Sequence, residues 1–209
     1  MVISALEPDP RGSGGVRILV DGGPFATVAA RDVAALGLRV GGTLDERQAA
    51  EVEGRAEAFA ARTVALRMLG YRALPGREIA RRLVRKGHDK AIAEGVVAAL
   101  RAEGLVDDAE FARHYTRTRA ASKRVGPARL EADLRHLGVD ERTAADAVRE
   151  TLARERIEPA RLLREAAARK LREMVGLDRA AQRRRLKAFL LRRGFGSGEV
   201  VALLREMLG

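Results

Sequence analysis

A threefold repeat restricts the fold of this chain more than any other feature of its sequence. Each copy has two apolar residues four apart and a glycine four residues further on: Ile79, Leu83 and Gly87; Leu130, Leu134 and Gly138; Leu186, Leu190 and Gly194. A spacing of four places both apolar side chains on one helix face, and glycine is common just beyond a helix C-terminus. The pattern therefore predicts three helices that each end at a glycine, with a further helix after each.

Another helical segment precedes each apolar pair, near residues 57–69, 108–121 and 160–174. A repeat of about 50 residues buries little apolar surface alone, so neighbouring repeats are expected to stack. Strand-like sequence occurs only near the N-terminus, where V-R-I-L-V and F-A-T-V flank D-G-G-P. The predicted fold is mainly α: three tandem three-helix repeats stacked into an elongated, curved body, with a small N-terminal β-hairpin/α cap.

These signals also give domain boundaries. Residues 1–15 contain two prolines and three glycines, which is typical of a disordered tail. The predicted segments are a tail (1–15), a hairpin and helix cap (16–54), and repeats 1 (55–106), 2 (107–155) and 3 (156–209).

Positive charge is concentrated in the repeats. The chain has 40 Lys and Arg against 29 Asp and Glu, a net charge of +11. Residues 1–55 carry six basic and eight acidic side chains, so residues 56–209 carry 34 and 21, a net +13. This excess favours a polyanion, or an assembly that contains one, as partner of the repeats. With seven aromatic residues in the chain, we expect contacts mainly to phosphates, weakened by salt.

Several classes of site and location have no support in the sequence. There is no cysteine for a disulfide, thiolate metal site or thiol nucleophile, and the three histidines lie on different predicted elements. The glycine-rich pieces lack the strand–loop–helix context of a nucleotide cradle. We therefore expect no catalytic residue, no metal and no cofactor. No signal peptide or spanning segment is recognisable, which favours a cytoplasmic, monomeric protein.

Asp107 and Asp108 form a pair that suits either acid–base chemistry or metal binding. They follow Gly104 and precede a helical segment, a position at which carboxylates commonly cap and stabilise a helix N-terminus. We expect the structural role, and with Tyr71, Phe111 and Tyr115 these two residues are predicted to hold repeat junctions. The aromatic residues are assigned to packing first and partner contact second.

Basic side chains cluster at or near the apolar-striped helix of each repeat. A favourable position at helix C-termini accounts for some of them, whereas their recurrence in every repeat favours one basic ridge. The predicted DNA- or partner-binding residues are Arg81, Arg82, Arg85, Lys86, Arg117, Arg119, Lys123, Arg124, Arg129, Arg183, Arg184, Arg185, Lys187, Arg192 and Arg193.

Two stretches carry a family resemblance. G-L-V-D-D-A-E-F-A-R-H-Y-T-R-T-R, followed by G-P-A-R-L-E-A-D-L-R-H-L-G-V, resembles the central signature of the RecX family of recombinase regulators. A-L-R-M-L-G-Y-R and R-E-I-A-R-R-L-V-R-K-G are similar to the family's first repeat. The resemblance covers residues 16–208, most specifically 65–140, and departs from the family at Pro75, where a Ser or Thr cap is usual.

The resemblance implies a bacterial protein that binds the RecA recombinase filament on single-stranded DNA with ATP and lies in the filament groove. It implies inhibition of filament growth, ATPase, strand exchange and coprotease activity, hence a role in DNA repair and the SOS response, with weak DNA binding by the free protein. Two alternatives remain: a general DNA-binding helical-repeat protein or transcriptional regulator, for which no helix carries a base-reading Asn/Gln/Ser set, and a DNA-processing enzyme that uses Asp107 and Asp108.

Overall fold

The computed structural model describes residues 1–12 and 14–209, without the side chains of residues 121 and 123. Its N-terminal part is an antiparallel three-stranded sheet in the order β1 (Ile3–Pro8), β2 (Gly15–Val20) and β3 (Gly23–Ala29). The predicted two-stranded hairpin corresponds to β2 and β3.

The prediction of a disordered tail over residues 1–15 is wrong for residues 3–8, which form β1. In the register of the sheet, Ile3 lies opposite Val20 and Leu6 opposite Ile18, and Ile3 is 2% exposed. Of the prolines and glycines that suggested disorder, Pro8 ends β1 and Gly15 begins β2, and the others lie between the two strands. Pairing with β2 and burial of Ile3 supply the stabilisation that local composition does not indicate.

Helices occupy most of the described chain after residue 29. Two helices precede the pattern of Ile79, Leu83 and Gly87, and they are α1 (Ala30–Ala35) and the long α2 (Glu46–Tyr71). The helices that follow are α3 (Gly76–Arg85), α4 (Lys90–Ala102), α5 (Asp108–Lys123), α6 (Pro127–Leu137), α7 (Glu141–Arg154), α8 (Pro159–Arg172), α9 (Arg179–Arg192) and α10 (Ser197–Leu208). In the described part of the chain, no helix combines the length and apolarity needed to cross a membrane.

The repeat pattern read from the sequence is confirmed in the helices that carry it. All six apolar residues of the pattern are fully buried: Ile79, Leu83, Leu130, Leu134, Leu186 and Leu190. Gly87, Gly138 and Gly194 have φ of +94°, +105° and +78°, a conformation that glycine adopts without the steric cost of a β-carbon. The fold is thus mainly helical with three three-helix repeats and a small N-terminal sheet.

The chain forms two compact units. The first comprises Met1–Leu74 and Glu78–Val106, and the second comprises Pro75–Arg77 and Asp107–Gly209. The first contains one core under the sheet and another among α2, α3 and α4, whereas one continuous core joins α5 to α10 in the second. Repeats 2 and 3 therefore share a core, while the predicted domain boundaries stay predictions.

An arginine of the first helix pairs with a glutamate at the end of the third in every repeat. The three pairs are Arg62 with Glu103, Arg117 with Glu155, and Arg164 with Glu206. Arg62 is bidentate, since its Nη1 and Nη2 lie 2.8 and 2.7 Å from the two oxygens of Glu103. This recurring contact ties the ends of each repeat together at its surface.

Candidate nucleic-acid interface

Two glycine turns bring repeats 2 and 3 into backbone contact. The amide of Gly126, between α5 and α6, donates to the carbonyl of Arg193, after α9, at 2.8 Å. A β-carbon on Gly126 would lie 2.3 Å from the carbonyl oxygen of Gly194, and one on Gly194 would lie 2.2 Å from the amide nitrogen of Arg129. This glycine joint has no room for larger residues, and it places the start of α6 against the end of α9.

Basic side chains of both repeats meet beside this joint, around Phe189 of α9. Three cavities of about 360, 260 and 480 Å³ open on this part of the second unit, and Phe189 lines all of them. We call their combined lining the Phe189 surface. Its basic residues are Arg119, Arg124, Arg129, Arg169, Lys170, Arg185, Arg192 and Arg193. Only two acidic residues, Asp133 and Glu173, line the same cavities, so the surface favours an anionic ligand.

Cations lie over aromatic rings at the centre of this surface. Lys170 Nζ is 5.5 Å and Arg193 Cζ 4.8 Å from the centroid of the Phe189 ring. Nearby, Arg119 Cζ lies 5.3 Å from the centroid of Tyr115. These cation–π contacts hold long side chains in defined positions, which reduces the conformational entropy lost when a ligand binds.

Part of the positive charge is already paired. Arg129 Nε lies 2.8 Å from Asp133 Oδ1, and Arg124 Nε lies 2.9 Å from Glu165 Oε2. Hydrogen bonds from Arg161 and Arg124 hold the pKa of Glu165 below its usual value. A phosphate at this surface therefore competes with carboxylates for some arginines and is attracted directly by the others.

The structure brings together six of the residues predicted for binding, and these are Arg119, Arg124, Arg129, Arg185, Arg192 and Arg193. Of the others in these repeats, Arg117 pairs with Glu155, and Arg183 Nη1 donates to the carbonyl of Gly209 at 3.3 Å. Arg184 and Lys187 are exposed on α9 and line none of the three cavities. The side chain of Lys123 lies outside the described part of the chain.

The remaining predicted basic cluster lies on α3 in the first unit, and its arginines surround the carboxylate of Glu78. Arg81 is hydrogen-bonded to Glu78, Arg82 Nε lies 2.6 Å from Glu78 Oε1, and Arg85 is 4.0 Å away. Burial raises the pKa of Glu78, but the hydrogen bonds from Arg82 and Arg81 outweigh it and leave the pKa below its usual value. Lys86 is exposed just beyond the helix. The basic ridge through all three repeats stays a prediction.

Asp107 and Asp108 have helix-terminal partners. Asp107 is the N-cap of α5 and accepts a hydrogen bond from the Glu110 amide at 2.8 Å. Asp108 accepts one at 2.7 Å from the amide of Gly76, the first residue of α3, just after the Pro75 that departs from the family pattern. Among the described residues, no group of His, Asp and Glu is arranged to hold a metal ion.

The aromatic residues assigned to repeat junctions behave differently from one another. Phe111 and Tyr115 stack with centroids 6.3 Å apart and pack against the core of the second unit. Burial, followed by the charge of Asp133, raises the pKa of the Tyr115 hydroxyl. The prediction that Tyr71 packs at a junction is wrong, because its side chain is 84% exposed. Tyr71 is the last residue of α2, and the chain leaves the helix in extended conformation at Arg72, so no element of the described part of the chain covers the ring.

Sequence reasoning missed Phe189, Arg169 and Lys170. The first had a readable signal, since R-R-R-L-K-A-F-L-L-R-R interleaves an aromatic residue with arginines at helical spacing. Arg169 and Lys170 belong to α8, and only the packing of α8 on α9 brings them to Phe189.

Three domain models of one family match the chain. They are the first three-helix domain of RecX at residues 61–100, the second at 107–148 and the third at 158–204. Regulatory protein RecX of Amycolatopsis mediterranei is 32% identical over 148 residues, 71% of this chain and 83% of that protein. The chain belongs to the RecX family.

Other RecX proteins agree with this assignment. Regulatory protein RecX of Halorhodospira halophila is 37% identical over 150 residues, 72% of this chain and 89% of the relative. A crystal structure of regulatory protein RecX has a TM-score of 0.80 at 24% identity over 98% of each chain. RecX from Lactobacillus salivarius has a TM-score of 0.62 at 18% identity, covering 72% of this chain and 96% of its own. At these identities the two crystal structures show the shared fold alone.

Proposed function

We propose that this RecX protein binds the RecA recombinase filament on single-stranded DNA and inhibits it. The protein binds in the filament groove. The expected effects are slower filament growth and lower ATPase, strand-exchange and coprotease activity of the recombinase. Its relatives are named regulatory proteins, which supports a regulatory role for this chain. The observation that carries the proposal is the Phe189 surface, where two repeats combine their cations beside the glycine joint.

The proposed mechanism is steric and electrostatic. Repeats 2 and 3 share one core and contact each other through backbone at the glycine joint, so they act as one body. A body of this kind resists compression when it occupies a groove, and its cations offset the repulsion between DNA phosphates and any protein carboxylates nearby. The chain needs no cofactor of its own for this action, and ATP is bound by the recombinase.

The test titrates this protein into recombinase filaments on poly(dT) and measures ATP hydrolysis. The variant Arg129→Glu/Arg192→Glu reverses two cations of the Phe189 surface. Its matched control is Arg154→Glu/Arg205→Glu, which makes the same charge change at exposed positions that line none of the three cavities. We expect the first variant to need at least tenfold more protein for half-inhibition, and the control to behave like the natural protein.

Fluorescence anisotropy of labelled single-stranded DNA distinguishes the filament from DNA alone as the target. Affinity should increase when recombinase and ATP are added. If affinity is unchanged and filament ATP hydrolysis is unaffected, the protein acts as a general DNA-binding helical-repeat protein and the proposal is wrong.

A further inference from the structure

The largest of the described cavities lies in the first unit, far along the sequence from the Phe189 surface. Its volume is about 850 Å³, and residues of β2, β3, the β1–β2 connection and α2 line it. Ligand sites commonly enclose about 300–1,000 Å³, so this space is large enough for a small ligand or a segment of a polymer.

Aromatic rings and guanidinium groups line this cavity together. Phe25 of β3 and Phe59 of α2 supply the rings, and both are partly exposed. Phe59 is seated against Gly15 of β2, because a β-carbon on that glycine would lie 2.6 Å from the ring. The cations are Arg11, Arg17 and Arg67, against one acidic residue, Asp9. Flat apolar faces beside positive charge suit a ligand that has both a planar ring and an anion.

The three arginines differ in how much they are engaged within the chain. Arg17 lies between Glu7 and Thr27 in the register of the sheet and pairs with Glu7, with Nη2 2.6 Å from Oε2. Arg11 and Arg67 are both exposed and line the cavity from different elements, Arg11 from the segment after β1 and Arg67 from α2. They are the groups best placed to contact phosphates at the rim, since Arg17 is held by its carboxylate.

Helix α2 continues beyond the cavity. Phe59, Thr63, Arg67 and Tyr71 follow one another at intervals of four, and each lies about 40° further around the helix than the one before, so Tyr71 adjoins Arg67 but lies about 120° around from Phe59. Tyr71 comes about 6 Å along the helix axis after Arg67 and is 84% exposed. This exposed ring provides a second stacking place, about 18 Å along the helix axis from Phe59 and therefore more than one nucleotide away. A ligand that uses both places is a strand rather than a single nucleotide.

We propose that this cavity and the adjoining face of α2 bind single-stranded nucleic acid. One base stacks in the cavity against Phe25 and Phe59, a base further along the strand stacks on Tyr71, and Arg11 and Arg67 contact the phosphates. The site adds an aromatic, stacking contribution to the phosphate contacts of the Phe189 surface. This binding site extends the proposed function. Because it involves only the protein and nucleic acid, it is tested without recombinase, and the two proposals can fail separately.

The first test measures the anisotropy of a labelled dT20 oligonucleotide at several salt concentrations. Arg11→Glu/Arg67→Glu should weaken binding about tenfold and make the slope of log affinity against log salt shallower by about 1.4, the value for two lost phosphate contacts on a single strand. The control Arg39→Glu/Arg47→Glu makes the same charge change at exposed residues of the same unit that do not line the cavity. Equal losses in both variants overturn the proposal in favour of a general effect of net charge.

The second test uses a fluorescent reporter, since the chain has no tryptophan. Phe25→Trp places one in the cavity, and Val40→Trp places one at an exposed site of the same unit. With far-UV circular dichroism unchanged, we expect dT20 to quench the first and not the second. Tyr71→Ala, in the Phe25→Trp background, should weaken dT20 binding several-fold.

Two competitors identify the source of the ligand. ATP at the same concentration should quench Phe25→Trp much less than dT20, because it occupies one stacking place. Equal quenching of the Phe25→Trp fluorescence by ATP assigns the cavity to free nucleotides. If polyglutamate displaces dT20 from the cavity while dT20 stays bound to other parts of the protein, the cavity is assigned to an acidic peptide. Either result overturns the assignment to a strand.

Discussion

Gly126→Ala tests whether the glycine joint fixes the second unit. The added β-carbon would lie 2.3 Å from the Gly194 carbonyl oxygen, 2.6 Å from the carbonyl carbon and 2.8 Å from the Phe195 amide nitrogen. Real β-carbon contacts essentially never fall below 3.0 Å, so the two turns must separate by about 0.7 Å. All three obstructing atoms are backbone, and no side-chain rotation relieves them.

Overpacking of this kind costs about 1–3 kcal/mol. Gly126 has φ of −78°, so an alanine there adds no left-handed strain, and the loss measures the contact alone. Separation of the turns also lengthens the 2.8 Å hydrogen bond from the Gly126 amide to the Arg193 carbonyl. We therefore expect the free energy of unfolding to fall by about 2–3 kcal/mol, and the ability to inhibit filament ATPase to fall with it.

The measurement is urea unfolding followed by far-UV circular dichroism, with filament ATPase on the same preparations. Gly198→Ala is the control in the same unit, because its β-carbon meets open space and φ is not positive there. Alanine should leave stability unchanged or raise it by about 0.5 kcal/mol. If Gly126→Ala unfolds within 0.5 kcal/mol of the natural protein, the two turns are not packed as described and the reasoning is refuted.

Three further predictions concern the repeats. A double-mutant cycle on Arg62 and Glu103 should give a larger coupling energy than one on the exposed Lys90–Glu94 pair. The reason is that Arg62 makes two hydrogen bonds to Glu103, whereas the charged atoms of Lys90 and Glu94 are 3.9 Å apart. Equal coupling energies would contradict this. Asp107→Ala should lower the unfolding free energy by about 1 kcal/mol, whereas Asp107→Asn, an equally good cap, should not, and both should still inhibit filament ATPase. If Asp107→Asn keeps its stability but loses inhibition, the carboxylate has a chemical role instead. In urea titrations over a series of falling pH values, Glu78→Gln should destabilise the protein at pH 7 but not below the folded-state pKa of Glu78. The folded-state pKa of Glu78 is below its usual value near 4.5, so its ion pairs stabilise the fold above that pH and are lost as the pH falls through the folded pKa; a difference that persists at low pH disproves the ionic origin.

The sequence was sufficient for the helical repeats because their signals are local. Ile79 and Leu83 share a helix face through spacing alone, and Gly87 ends the helix through its own backbone freedom. Strand β1 was missed because its stabilisation comes from pairing with β2, eight or more residues away, while its nearest neighbours are prolines and glycines.

The sequence predicted that the candidate site consists of basic residues, but it did not predict which of them lie together. Arg129 and Arg192 were recognised as basic residues of different repeats, but their meeting depends on contact between Gly126 and Gly194, which are 68 positions apart. The same limit applies to Tyr71, whose exposure depends on where the chain goes after α2. Local patterns identify helices and charge, whereas the encounter of distant turns decides which charges act together.

The glycine joint also limits how the repeats can be exchanged. Gly126 belongs to repeat 2 and Gly194 to repeat 3, and neither has room for a β-carbon: one on Gly126 would meet the backbone of Gly194 and Phe195, and one on Gly194 would meet Arg129. A chimaera that took one of these repeats from a relative with a side chain at the matching turn would fail at the seam even if both repeats folded. A viable exchange therefore takes repeats 2 and 3 together, or keeps glycine at both turns.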